Sequence, residues 1–162
     1  MSSSGLRKEQ KRLPQVIAWV LVIVWAAVIF TLSSIPGTSY PSHPEPLNVV
    51  AHFLLYFAFA VLVTYALGHS KLSLWKVALI AIAIASLYCA SDEFHQSFVD
   101  FRNSDIMDWF VDTIAAIVGT AATIFYLSAK KVSHSRRRDG EGHIDKSSQP
   151  HKPPRFRRRN RR

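Results

Sequence analysis

The sequence predicts an all-α protein: a four-helix transmembrane bundle with both termini cytoplasmic and a disordered basic C-terminal tail. Three observations lead there. Four nearly uncharged apolar runs of about 17–22 residues are each long enough to cross a hydrocarbon core of about 30 Å as a helix. The 162-residue chain carries a net charge of +9, gathered at its two ends, with a middle almost free of Lys and Arg. The alternating pattern that a membrane β-barrel needs is absent, which excludes strands as the spans. A soluble basic domain would spread its charge, and the single cysteine, Cys89, excludes an internal disulfide framework and a cysteine-based zinc cluster. The implied organisation is a cytoplasmic basic N-terminus over 1–15, a membrane domain over 16–127 and a polybasic cytoplasmic tail over 128–162.

The first run, Val16 to Leu32, follows Arg7, Lys8, Lys11 and Arg12, and Pro14 suits the first turn of a helix. A basic start and an apolar stretch also describe a signal peptide. This run is longer than a signal core, however, and Ser33-Ser34-Ile35-Pro36-Gly37 is a poor cleavage site, so the run is read as an uncleaved span. Residues 33–47 are rich in Pro and Ser and form a loop. The second run, Val49 to Leu67, is interrupted by His52, Tyr56, Thr64 and Tyr65. A short turn from Gly68 leads to the third run, Leu72 to Ala90, in which Lys76 can snorkel to the interface. The fourth run, Ile106 to Leu127, has Asp108 and Asp112 in its first turns. From Lys130 the composition turns polar and basic and cannot bury a core, so the tail is expected to be disordered.

Basic residues set the orientation. With the N-terminus inside, segments 1–15, 68–76 and 128–162 hold 4, 2 and 13 Lys or Arg, against none in 33–48 and one, Arg102, in 91–107. That asymmetry is a strong positive-inside signal. The polybasic blocks Arg136–Arg138 and Arg155–Arg162 would then lie against anionic lipids. No fold supports specific nucleic-acid binding.

On the opposite, outer side lies the densest ionisable stretch, Asp92 to Asp112, with six acids, one His, one Gln and one Arg in 21 residues. Such a cluster between apolar spans is costly unless it is paired or functional. Four antiparallel helices would bring His52, Tyr88, Asp108 and Asp112 to one depth beside it. Candidate catalytic groups are His52, Asp92, Glu93, His95 and Asp108. Tyr56, Gln96, Arg102, Asp105 and Asp112 belong to a ligand-binding or structural cluster. If the third helix continues to Gln96, then Asp92, His95 and Gln96 share a face and Glu93 points elsewhere. Arg102 is expected to clamp one of Asp92, Asp105 or Asp108. A carboxylate–His pair suits acid–base work. A metal would draw on His52, Asp92, Glu93, His95 and Asp108, but no HExxH or cysteine pair is present and no metal or other cofactor is expected. Ala115 and Gly119 form a small-x-x-x-small step for close helix packing.

Leu32-Ser33-Ser34-Ile35-Pro36, His52 with Tyr56, and Asp92, Glu93, Gln96, Arg102, Asp108 and Gly119 together resemble the VanZ-like family of small membrane proteins. The likeness covers about residues 16–127. Asp112 stands where that family usually has Asn, Ala115 where it often has Gly, and Asn48 and Val49 where many members have Asp-Lys. The resemblance implies a multi-pass protein of the bacterial cytoplasmic membrane. It also implies an outer-face site suited to cell-envelope or lipid-linked material, and a link to teicoplanin-type resistance, from which the family takes its name. Two function classes follow. One is a non-enzymatic membrane protein whose cluster binds an envelope ligand or braces the helices. The other is an interfacial enzyme with Asp92, Glu93 or Asp108 as base, His52 or His95 as proton shuttle and Arg102 holding an anionic group. Membrane lipids are the expected partners, and a homo-oligomer is compatible with so small a bundle.

Overall fold

A computed structural model describes the backbone of residues 3–37, 45–102 and 106–147, and the side chains of 14–37, 49–102 and 106–133. Four helices follow one another: α1 (Ser3–Ser33), α2 (Glu45–Leu67), α3 (Leu74–Gln96) and α4 (Ile106–Ser147). All four contain stretches long and apolar enough to cross a membrane: Pro14–Ser33, Val49–Leu67, Leu74–Gln96 and Ile106–Ser133. The chain divides into a compact unit ending at Leu127 and a second beginning at Ser128.

Three boundaries differ from the sequence reading. Helix α1 begins at Ser3, which puts Pro14 inside it rather than in its first turn. Proline there removes one i→i−4 hydrogen bond. Helix α2 begins at Glu45, inside the expected loop. The third difference is in the tail, where α4 stays helical to Ser147 although disorder was expected from Lys130. Extending an existing helix costs far less than nucleating one, so a polar sequence can continue it. Residues 148–162 lie outside the described residues.

The bundle inverts the usual distribution of polarity. Its outer surface exposes Val16, Ile17, Val20, Ile23 and Val24 on α1, and Leu79, Leu87, Ile114, Ile117, Val118 and Phe125 on α3 and α4. Its interior holds Thr64, Asp92, Glu93, Gln96, Asp112, Thr120 and Thr123 among small apolar residues. Without water outside, nothing drives apolar side chains inward, and close packing with interhelical hydrogen bonds takes over. Ala18, Ala60, Ala66, Ala81, Ala85, Cys89, Ala115 and Ala116 keep the helices near one another. At Gly119 the approach of α4 to α2 is close: a Cβ there would stand 2.6 Å from the Phe57 carbonyl oxygen. At the next residue of α4, Thr120 Oγ1 accepts from Thr64 Oγ1 of α2 at 3.2 Å.

Helix α1 is part of this packing. Trp25 Nε1 donates to the Leu55 carbonyl of α2 at 3.0 Å, and Tyr88 of α3 donates to the Ala26 carbonyl at 2.7 Å. Ala18, Val22 and Ile29 are core residues. These contacts make it the first span of the bundle.

Candidate functional site

The helices alternate in direction, so the end of α1, the start of α2, the end of α3 and the start of α4 meet at one end of the bundle. Helix α3 does continue to Gln96. Successive residues of a helix are turned by roughly 100°, so its two adjacent acids face different neighbours. Asp92 turns toward α1 and Glu93 toward α2 and α4.

Around Asp92 the polar groups are mutually satisfied. Its Oδ2 accepts from Tyr56 OH at 2.7 Å, Ser33 Oγ at 2.8 Å and Gln96 Nε2 at 3.0 Å. Three donors from three helices are what a buried carboxylate requires. Gln96 Oε1 in turn accepts from Arg102 Nη1 at 3.3 Å. The same guanidinium donates from Nη2 to the Leu32 carbonyl at 3.1 Å and from Nε to the Ile35 carbonyl at 3.3 Å. Leu32 lies in the last turn of α1 and Ile35 just beyond it, and a helix C-terminus favours a cation. Arg102 thus closes the C-terminus of the first helix. The loop holding it is positioned by Gly37, whose N–H donates to the Asp100 carbonyl at 3.1 Å. A Cβ at Gly37 would run into the Phe101 carbonyl oxygen, and Phe101 itself takes a positive φ of 58°. His95 sits outside this network: its ring stacks on Phe30 with centroids 4.6 Å apart, and its Nε2 is 3.0 Å from Ser34 Oγ.

The other half of the site is differently built. His52 Nδ1 lies 3.3 Å from Asp112 Oδ2, longer than the 2.7–2.9 Å or so of a strong charge-assisted hydrogen bond. Asp112 has no exposed surface, and its Oδ1 has no hydrogen-bond partner among the described residues. Glu93 is buried beside them, and one ligand atom from each of His52, Glu93 and Asp112 falls within 4.8 Å of the others. The imidazole keeps 17% of its surface exposed, which leaves it the most accessible member of the three. Asp108, one turn earlier on α4 and half-buried, adds its negative potential at His52.

The structure therefore gathers His52, Glu93 and Asp112 in one place and Tyr56, Asp92, Gln96 and Arg102 in another, with Asp108 at the margin of the first and His95 at the margin of the second. Asp105 lies outside the described residues. Ala115 and Gly119 continue the buried face of α4 below Asp112. A family model described as VanZ/LLP1 matches residues 18–127, most of the chain and all of this site. The chain belongs to the VanZ/LLP1 family. No curated protein and no solved structure shows a significant match.

Within this VanZ/LLP1 chain, Ser33 and Ser34 belong to the site, although the sequence reading used them only as part of a motif. The signal was available: two hydroxyls end an apolar run in a chain whose acids must be paired at the same depth. Tyr88, expected at the same depth, has its ring 6.5 Å from that of Tyr56 and donates to a backbone carbonyl of α1.

Proposed function

We propose that this multi-pass VanZ/LLP1 protein sits in the bacterial cytoplasmic membrane and binds the polar group of cell-envelope or lipid-linked material at His52, Glu93 and Asp112, on the outer face. The observation that carries the reading is the contrast between two buried aspartates. Asp92 has three donors and is accounted for by bracing, whereas Asp112 keeps one oxygen without a partner among the described residues in a buried setting. A buried polar atom left unmatched costs about 1–3 kcal/mol, a cost that bracing alone does not explain and that a ligand would offset. The basic ends support an outward-facing site, and the family's link to teicoplanin-type resistance supports an envelope ligand.

A second reading keeps the same residues as an enzyme. The His52–Asp112 contact is the arrangement in which a carboxylate orients an imidazole for proton transfer, with Glu93 as a further acid or base. It narrows the catalytic candidates to His52 and Glu93, with Asp112 orienting. Asp92 and Arg102 are engaged in the α1 contacts, and His95 packs against Phe30.

Native mass spectrometry of protein purified with its own lipids tests the binding reading. Wild type should retain an envelope-derived species that His52→Ala and Asp112→Asn lose, while both variants still fold and insert. Asp112→Asn preserves shape and removes a buried charge, so with the site empty its melting temperature should match or exceed that of equally empty wild type. Equal retention by wild type and both variants would refute the binding site. Teicoplanin susceptibility of cells expressing the same variants connects the site to resistance.

A further inference from the structure

We propose that His52, Glu93 and Asp112 hold a divalent transition-metal ion of the zinc or manganese class. The inference rests on the reading of this cluster as a ligand site, and it names the ligand that the protein itself carries there.

Four observations support it. The three residues come from three different helices, α2, α3 and α4, yet present ligand atoms within 4.8 Å of one another. The donor set, one imidazole and two carboxylates, suits zinc, manganese or iron better than calcium or magnesium, which favour all-oxygen shells. The separation of His52 Nδ1 and Asp112 Oδ2, 3.3 Å, is long for a hydrogen bond but matches two ligands each about 2.0–2.2 Å from a tetrahedral ion. Finally, Asp112 is fully buried with Oδ1 unpartnered among the described residues, so it offers a second oxygen for coordination.

Electrostatics point the same way. Glu93 and Asp112 are two buried carboxylates facing one imidazole, with Asp108 adding further negative potential. Like charges in a low-dielectric interior repel strongly. A dication at their centre neutralises both and replaces the proton between Nδ1 and Oδ2. The neighbouring Asp92 is held by Tyr56, Ser33 and Gln96, a rigid wall that fixes α3 and so aims Glu93. Three protein ligands leave at least one coordination position for an anionic oxygen of phosphate or carboxylate type, a chemistry shared by lipid head groups and free anions.

The test uses the full chain in detergent, purified without chelator and freed of any affinity tag. Elemental analysis should find about one zinc or manganese ion per chain. After stripping with EDTA, adding back Zn2+ or Mn2+ should raise the melting temperature of wild type, while Mg2+ should not. His52→Ala and Asp112→Asn should each lower metal content at least about tenfold; His95→Ala should leave it unchanged. Absence of bound metal in wild type with no thermal response to Zn2+ or Mn2+ overturns the proposal, as does metal content insensitive to both site variants. If wild type is metal-free yet His52→Ala still loses the envelope species, the metal inference fails and the binding reading stands. If metal is bound and the envelope species is retained equally by all variants, the reverse holds. Should His52→Ala fail to fold, Asp112→Asn alone decides.

Discussion

Asp92 and Asp112 are of one residue type, on adjacent helices, both buried, and their surroundings assign them different work. Asp92 is a joint: its Oδ2 gathers donors from α1, α2 and the last turn of its own helix. Tyr56→Phe removes the shortest of these bonds without altering the ring's packing. Since a hydrogen bond to a charged group contributes about 1.5–3 kcal/mol, the melting temperature in detergent should fall accordingly; an unchanged value would mean that Ser33 and Gln96 suffice. Asp112 is the complementary case, where removing the charge should cost binding and leave the stability of the empty bundle unharmed. Identity and position of both residues could be read from the sequence, because acids in an apolar setting stand out. Their division of labour could not, since it depends on which oxygen meets which donor. Arg102 shows the same limit: its donation to Gln96 and to the Leu32 and Ile35 carbonyls could not be read from the sequence, and Asp105, one of its expected partners, lies outside the described residues.

Among the elements, the spans were legible because membrane helices declare themselves by length and hydropathy, and the structure describes all four. Their ends were less so. Helix α1 reaches back to Ser3 and α4 on to Ser147, because polar sequence permits a helix to continue without requiring it. Packing was partly legible: Asp112, Ala115, Ala116, Gly119 and Thr123 recur at helical spacing and are all buried. A close contact, Gly119 against the Phe57 carbonyl, limits the distance of the α2–α4 pairing. Gly119→Val should force these helices apart at a cost of about 1–3 kcal/mol. It should lower both abundance in the membrane and melting temperature, and it should also weaken the His52–Asp112 contact one and two turns above. A variant that keeps wild-type stability would show that α4 can slide without loss.

At the largest scale, the described residues up to Leu127 form a bundle with apolar flanks, small residues inside and a buried polar cluster at one end. The proposed orientation puts that end outside, and the α3–α4 loop reports on it. In a Cys89→Ser background, Asp100→Cys, at an exposed position, should react with a membrane-impermeant maleimide added to intact cells. Reaction only after permeabilisation would turn the bundle over and place the site in the cytoplasm. The meeting of His52 and Asp112, 60 apart in the chain, was legible from four antiparallel helices, whereas the addition of Glu93 was not, because it depends on which way the end of α3 turns.

The closure of α1 by Arg102 has a consequence for how the protein is made. The chain emerges N-terminus first, so the first helix enters the membrane long before its capping guanidinium, 70 residues downstream, has been synthesised. Until then the Ile35 carbonyl lacks its guanidinium donor and the Ser33 hydroxyl lacks the Asp92 carboxylate. Completion of the third span and its loop is therefore the event that seals the first.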